Sequence, residues 1–482
     1  MKKIYYILIG VVVLIIAVVA TSCYKSSTTT STDPNLKKPI ILNWWGVWES
    51  ESNIASLIAD YQKTFTNVQI NYRRFTWAEY QKQLDMAFRT DQVPDIFSLP
   101  SNWLLAYQNT LTPMPDQITM PVVTEAGSTI SKTTSVSVQT FRLPTISDVE
   151  TKFIDVVAGD AILPEIKIDA SAQVANKIYG LPLSMDVLSL YINRAVTDAA
   201  GVSKIPADWT TFRDNVKKIT RLRAGGFNNK PSEQFLINGT ALGTADNTNN
   251  ALDILSLLTL QSGGQVIDWS RRAAALGSPR DNQNNYFPGE AALRFYTDFA
   301  NSQTDVYSWN ESQGQAVEAF AQGRVGYFIG YLYHRNQILN QNPALKLTVV
   351  SVPDLGGAHI TMANYWLQVV SKRSPAPNQA AAWHFLSTVS LNPDLIKTYL
   401  KASGGLTALR SLIDDESNDE ILKPFASQLL VSKSWYKGYD ELAAENILKD
   451  AIKAVLAGST SLKDIISHAV DKLNFTLIAP TP

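Results

Sequence analysis

Between residues 40 and 100 the chain switches repeatedly between two hydrophobic periods, and this alternation constrains its fold more than any other feature. Ile40 to Trp45 is a short apolar run; Ile54, Leu57, Ile58, Tyr61 and Phe65 then recur at helical spacing, and Val68 to Tyr72 alternates every second residue. A period near 3.6 between two strand-like runs predicts a βαβ unit. Trp77, Tyr80, Leu84, Ala87 and Phe88 predict a second amphipathic helix, and Pro94-Asp95-Ile96-Phe97 a third strand. The fold class this implies is α/β: an open, mainly parallel sheet with helices on both faces, which takes ligands beyond the carboxyl ends of its strands. Trp44, Trp45 and Glu49 lie at the end of the first strand or just after it, and Asn102 and Trp103 follow the third, so two loops converge on one edge. Asp95 reads as a structural cap.

A second stretch, Lys177 to Asn193, places one carboxylate, Asp186, inside an apolar run. The turn Gly180-Leu181-Pro182 leads into Val187, Leu188, Leu190, Tyr191 and Ile192, the composition of a buried strand. A buried carboxylate without a partner is costly. Asp186 is therefore either satisfied by backbone amides at a strand mouth or aimed at something that enters from outside.

These segments resemble the carbohydrate-binding extracellular solute-binding proteins of ABC importers, the maltose-binding-protein-like group. The resemblance rests on W-W-G-x-W-E from Trp44, the V-x-I-x-Y strand, V-P-D-I-F, the Gly-x-Pro before Asp186, Leu190-Tyr191-Ile192-Asn193, Pro206-Ala207-Asp208-Trp209 and the run Val325 to Tyr333; it covers about Ile40 to Leu473. It implies a two-lobed periplasmic-binding-protein-like (type II) fold, each lobe a mainly parallel sheet flanked by helices and joined by crossover hinge segments. The expected lobes are 40–158 with 303–362, and 159–302 with 363–482, Val325 to Tyr333 returning the chain to the first lobe and Met362 to Val370 crossing back. It further implies a monomeric substrate-binding protein, not an enzyme, that captures a sugar or oligosaccharide between its lobes and delivers it to a membrane permease. The same fold also serves binders of peptides, polyamines and other small solutes. The candidate ligand residues are Trp44, Trp45, Glu49, Asn102, Trp103, Asp186, Tyr191, Tyr331, Tyr333, Tyr365, Trp366, Trp435 and Tyr439. Tyr331 or Tyr333 stands where the family places a stacking aromatic. Residues 116–175, with Ser/Thr-rich Thr124 to Val138, show no helical period and read as a surface excursion longer than the family has there.

Met1-Lys2-Lys3 followed by the apolar run Ile4 to Ala20 has the form of a secretory signal. Ala20-Thr21-Ser22-Cys23 resembles the bacterial lipoprotein cleavage box, which implies a lipid on Cys23 and a body held at the outer face of the cell membrane; an uncleaved anchor is the alternative. Residues 24–39, rich in Ser and Thr, read as a flexible linker. Cys23 is the only cysteine, so the exported body holds no disulfide and no thiol nucleophile. With a net charge of −1 and no lysine-arginine cluster the chain offers nucleic acid no basic track. His334, His359, His384 and His468 are not spaced as zinc ligands, and no phosphate-cradling glycine loop is present, so no metal or cofactor is expected. The one catalytic alternative is a glycosidase pairing Glu49 with Asp186.

Overall fold

The computed structural model describes residues 28–30, 36, 38–128, 131–165, 175–223, 234–281, 285–458 and 460–479. Cys23 and the apolar run before it lie outside these residues. Among the described residues no helix is long and apolar enough to cross a membrane.

Strand β1 (Thr28–Thr30) is followed by β2 (Ile40–Gly46), α1 (Glu51–Gln62), β3 (Val68–Arg74), α2 (Trp77–Thr90) and β4 (Ile96–Pro100), the alternation expected from the sequence. In β2 the even positions Ile40, Leu42 and Trp44 are buried and Ile41 and Asn43 exposed, as the two-residue strand period demands. Ser50 caps α1 by accepting from the Asn53 amide at 3.2 Å. Asp95 is structural: Oδ2 accepts from the Asn43 amide at 2.9 Å and Oδ1 from Asn378 Nδ2 at 3.0 Å.

Residues 117–142 differ from expectation. They form an antiparallel hairpin, β5 (Gln117–Ser128) and β6 (Ser131–Arg142), in unbroken register from Gln117↔Arg142 to Ser128↔Ser131. Ile118, Met120 and Val122 are buried while Gln117, Thr119 and Thr124 are exposed, an amphipathic strand whose polar face is made of β-favouring threonine. The hairpin lies at the end of the first sheet remote from the β2 and β4 loops: Thr66 and Asn67, which precede β3, donate to the Val123 and Pro121 carbonyls. Its outer edge takes β1, inside the expected flexible linker, as a third strand with Thr28↔Gln139. A hairpin edge offers unpaired backbone groups, and threonine accepts the extended conformation.

After α3 (Asp155–Ala161) comes β7 (Leu181–Val187), and Leu188 joins it directly to β8 (Ser189–Asn193) of a second sheet. The second sheet adds β9 (Arg221–Leu222) after α4 (Trp209–Ile219), then β10 (Phe235–Thr240). Helices α5 (Ala251–Gln261), α6 (Pro288–Asp298) and α7 (Ala316–Ala321) precede β11 (Val325–Gly330), and α8 (Leu332–Gln341) precedes β12 (Leu347–Ser351). The chain then returns through β13 (Thr361–Val370), α9 (Ala376–Ser390), α10 (Pro393–Ser403) and α11 (Ile413–Ser417). It ends with β14 (Ser432–Lys433), α12 (Glu441–Ala457) and α13 (Leu462–Phe475).

The first sheet runs β14-β13-β4-β2-β3 with β7 also paired to β13, and the second runs β9-β10-β11-β8-β12. Strands β2, β3 and β4 are parallel, whereas β13 meets both β4 and β7 antiparallel. This is the two-lobed α/β fold, with one sheet per lobe, but the second sheet is not mainly parallel as expected: β8 pairs both β11 and β12 antiparallel and β9 pairs β10 antiparallel, while β10 and β11 run parallel, a direction that the apolar runs themselves do not encode. The lobe boundaries differ from those expected. Segment 303–362 supplies β11 and β12 to the second sheet, and β13, expected to cross into the second lobe, lies in the middle of the first. Ten residues long and largely buried, β13 is suited to a central strand, but nothing local in either segment specifies its partner. Three connections therefore cross between the sheets: Leu188, the segment between β12 and β13, and the segment around β14. At the first, Leu188 N donates to Met362 O at 3.0 Å and Thr361 Oγ1 to Leu188 O at 2.8 Å, so two crossings are bonded to each other.

Candidate functional site

Beyond the carboxyl ends of β2 and β4 the first lobe presents a wall of tryptophans. Trp48, in the loop after β2, is 54 % exposed, and its ring lies 6.3 Å from that of Trp366 on β13. Trp77, the first residue of α2, sits 5.4 Å from Trp366 and 5.5 Å from Trp103, and Trp103 stacks on Tyr107 at 6.0 Å and 8°. Four indoles thus share one surface, each supported by a neighbour.

The second lobe answers with one exposed aromatic and a set of acids. Tyr333 is 44 % exposed and stacks across the cleft on Trp48 at 6.1 Å and 27°. Tyr331 is fully buried and donates its hydroxyl to Asp253 Oδ2 at 2.9 Å, so Tyr333 offers the ring face and Tyr331 orients an acid. The Trp435 side chain also bonds Asp253. Asn102 Nδ2 and Trp103 Nε1 both donate to the carboxylate of Glu441, the first residue of α12, which joins the two lobes across the cleft.

These acids sit in a low-dielectric setting. Burial, reinforced by the Glu445 carboxylate, pushes Glu441 up to about 8 against the lowering effect of its Trp103 and Asn102 bonds. Burial pushes Asp253 up to about 6, partly offset by the Tyr331 hydroxyl, and raises Glu445 against the pull of Lys449. Such groups accept hydrogen bonds from hydroxyl or ammonium donors more strongly than they would in water.

Of the residues singled out from the sequence, the structure brings Asn102, Trp103, Trp366, Tyr331, Tyr333 and Trp435 to this cleft. Trp45 is half-buried beside it, its ring 4.7 Å from Phe75 and beneath the Arg73 guanidinium. Tyr439 is half-buried before α12, with its amide on the Thr476 carbonyl.

Four others belong to the interior. Trp44 is fully buried and donates Nε1 to Gln368 Oε1 at 2.9 Å. Tyr191 is fully buried with its hydroxyl on the Tyr331 carbonyl at 2.6 Å. Tyr365 is buried with its hydroxyl on Asp160 Oδ2 at 2.6 Å. Glu49 is 7 % exposed, and burial raises its carboxyl despite nearby Arg74. Each sits on the inward side of its strand or turn, a distinction that depends on a register shift of one residue.

Asp186 resolves the alternative left open by the sequence. Its carboxylate accepts from the amides of Val187 and Leu332, both at 2.8 Å, and of Tyr333 at 3.3 Å. It therefore stands at the N-terminus of α8, where the helix dipole favours an anion, and ties a first-lobe strand to a second-lobe helix. Burial nevertheless pushes it up to about 7, with the three amide bonds pulling the other way.

The sequence reading missed Trp48, Trp77, Asp253, Glu441 and Glu445. Trp48 lay inside the W-W-G-x-W-E motif, past the strand end and free of its alternation. Glu441 and Glu445 stand one helical turn apart, a like-charge spacing that is unfavourable on an ordinary helix surface. Asp253 carried no local signal.

The family model described as bacterial extracellular solute-binding protein matches residues 56–424. A protein provisionally named as a binding protein in Brucella abortus (strain 2308) is 26 % identical over 177 residues, 37 % of this chain and 38 % of that protein. The match thus spans well under half the length of that relative. Among solved structures, the cyclic alpha-maltosyl-1,6-maltose binding protein from Arthrobacter globiformis aligns with a TM-score of 0.68 at 19 % identity, covering 91 % of this chain and 99 % of that one. The sugar-binding protein MalE from Xanthomonas citri gives 0.64 at 17 %, covering 91 % and 97 %. UgpB from Mycobacterium tuberculosis, in complex with glycerophosphocholine, gives 0.63 at 15 %, covering 91 % and 98 %. At these identities the likeness establishes the fold, and with the family match over most of its length the chain belongs to the bacterial extracellular solute-binding proteins.

Proposed function

We propose that this protein captures a sugar or oligosaccharide between its lobes and delivers it to an ABC-transporter permease, acting as a monomer tethered through a lipid on Cys23 at the outer face of the cell membrane. The observation that carries this reading is the pairing of an indole surface, exposed at Trp48 and Trp77 and half-buried at Trp103 and Trp366, with the half-buried acids Asp253 and Glu441. Pyranose rings have apolar faces that stack on indoles and equatorial hydroxyls that donate to carboxylates. The maltosyl and maltose-type ligands named for the structural neighbours point the same way. The lobes would close by hinge motion about the three crossings.

Binding without catalysis is supported by the placement of the candidate acid pair. Asp186 is occupied by three backbone amides and Glu49 is only 7 % exposed, so neither is presented to a bond in the cleft. Isothermal titration of the purified chain with a series of malto-oligosaccharides tests the reading. One ligand per chain, recovered chemically unchanged, is expected; release of shorter products, or no binding to any carbohydrate, overturns it.

A further inference from the structure

A cavity of about 510 Å³ lies apart from the cleft, on the other side of α8. Its walls come from both lobes: Leu332 of α8 faces Leu400 of α10 and Leu412 and Leu422 on either side of α11. Tyr333 points into the cleft while Leu332, Arg335 and Asn336 line this cavity, so one helix end separates the two spaces.

The charges around it are unusual for a packing defect. Glu416 lines the cavity and is only 8 % exposed. Its Oε1 accepts from the Thr407 amide at 2.8 Å, but Oε2 is buried with no hydrogen-bond partner among the described residues. A buried oxygen without a donor is unfavourable and marks a place where a donor is expected. Burial, with Asp419 and Asp415 nearby, pushes this carboxyl up to about 8. Asp419 uses Oδ1 on the Ile421 and Leu422 amides. Lys397 pairs with Asp415 at 2.5 Å, whereas Arg335 and Lys401 line the cavity with no ion pair among the described residues. The cavity therefore combines an acidic element, cations without an ion pair among the described residues on two other elements, and an apolar leucine wall.

We infer that this cavity is a second small-molecule site, distinct from the cleft, that takes an α-amino acid with an apolar side chain. The ammonium group donates to Glu416 and Asp419, the carboxylate meets Arg335 and Lys401, and the hydrocarbon side chain lies on the leucine wall. Its volume is within the range of ordinary ligand pockets, about 300–1,000 Å³. Because the walls belong to both lobes, an occupant favours one lobe arrangement, and ligand affinity in the cleft and at this site is coupled in both directions.

The test is titration of the full chain with L-leucine, L-isoleucine, L-methionine and L-phenylalanine, followed by unfolding midpoint and calorimetry. Saturable binding of at least one is expected. Removing either charge from the ligand, as in leucinamide and 4-methylpentanoate, weakens it by at least about tenfold. Glu416→Gln does the same, and so does Lys401→Ala, an exposed position that leaves the fold intact should the Glu416 variant fail to fold. Lys63→Ala, a 74 % exposed position after α1 that belongs to neither site, leaves amino-acid binding unchanged. Absence of saturable binding by all four amino acids overturns the inference, as does binding that is lost in Lys63→Ala or fully retained in Lys401→Ala. Carbohydrate binding in the cleft is read separately with malto-oligosaccharide, so failure of amino-acid binding is distinguished from failure of the cleft reading.

Discussion

At the scale of single residues, the protein separates groups that hold it together from groups that face a ligand, often one position apart. Trp44 is fully buried, while Trp48 in the same motif is half exposed. Trp44→Ala is expected to lower stability by about 3–5 kcal/mol, the usual result of emptying a large aromatic site. Trp103→Ala is expected to weaken carbohydrate binding, with stacking alone contributing about 0.5–1.5 kcal/mol. Denaturant unfolding and calorimetry on both variants check the division; a stability loss in Trp103→Ala equal to that in Trp44→Ala would remove Trp103 from the site. Asp186→Ala strands the Leu332 and Tyr333 amides and is expected to destabilise the ligand-free protein by about 1–3 kcal/mol. An unfolding midpoint unchanged by this substitution would contradict the helix-capping role. The sequence showed that Asp186 had to have a partner, because an acid in an apolar run cannot stand alone. It could not show which, since the amides it holds lie 146 and 147 positions further along the chain.

At the scale of elements, what was legible depended on whether an element's pattern was its own. Helices α1 and α2 and strands β2 to β4 carry their periods in their own residues and stand where the sequence put them. The β5–β6 hairpin also carried a period, of two residues, but its Ser/Thr-rich polar face read as surface excursion when only helical periodicity and polarity were weighed. It sits at the end of the first sheet away from the cleft, so its outer half is expected to be dispensable. Replacing residues 124–135 with an Asn-Gly turn between the paired Val123 and Val136 should leave carbohydrate affinity unchanged. A tenfold loss in calorimetry would place the hairpin in the binding machinery after all. Strands β11 and β13 show the limit of such reading: both are apolar, and which sheet each joins is decided by long-range pairing alone.

For the whole molecule, the principal electrostatic feature is a set of carboxyls that burial holds above their ordinary range. Asp253, Asp186, Glu441 and Glu416 have folded-state values of about 6, 7, 8 and 8. Carboxyls of an unfolded chain titrate near about 4. The folded state thus binds more protons between these limits, so the contribution of these groups is fully present below about pH 4 and is lost as pH rises through the folded values. The lowered carboxyls Asp148 and Asp208 act in the opposite sense below that window, and the buried His334 and His384, lowered to about 4, act in the opposite sense up to about pH 6.5 and offset part of the carboxyl effect there, two groups against four. Urea midpoints are expected to fall between pH 5 and pH 8, and Glu441→Gln, which keeps an acceptor for Asn102 and Trp103 without a titrating proton, should flatten the slope. A midpoint that climbs toward pH 8 would contradict this account.

The position of β13 has a consequence for how the protein comes into being. This strand, Thr361–Val370, lies between β4 and β7 in the first sheet, yet it follows them by more than 170 residues. While an N-terminal fragment is emerging, β4 and β7 have no strand between them and present bare backbone edges, and the first lobe cannot close its core until the second has largely been made. Such edges invite pairing with other chains. A chain shorter than about nine-tenths of the full length therefore contains no finished lobe, because β14, Ser432–Lys433, completes the first sheet and α12 and α13 follow it.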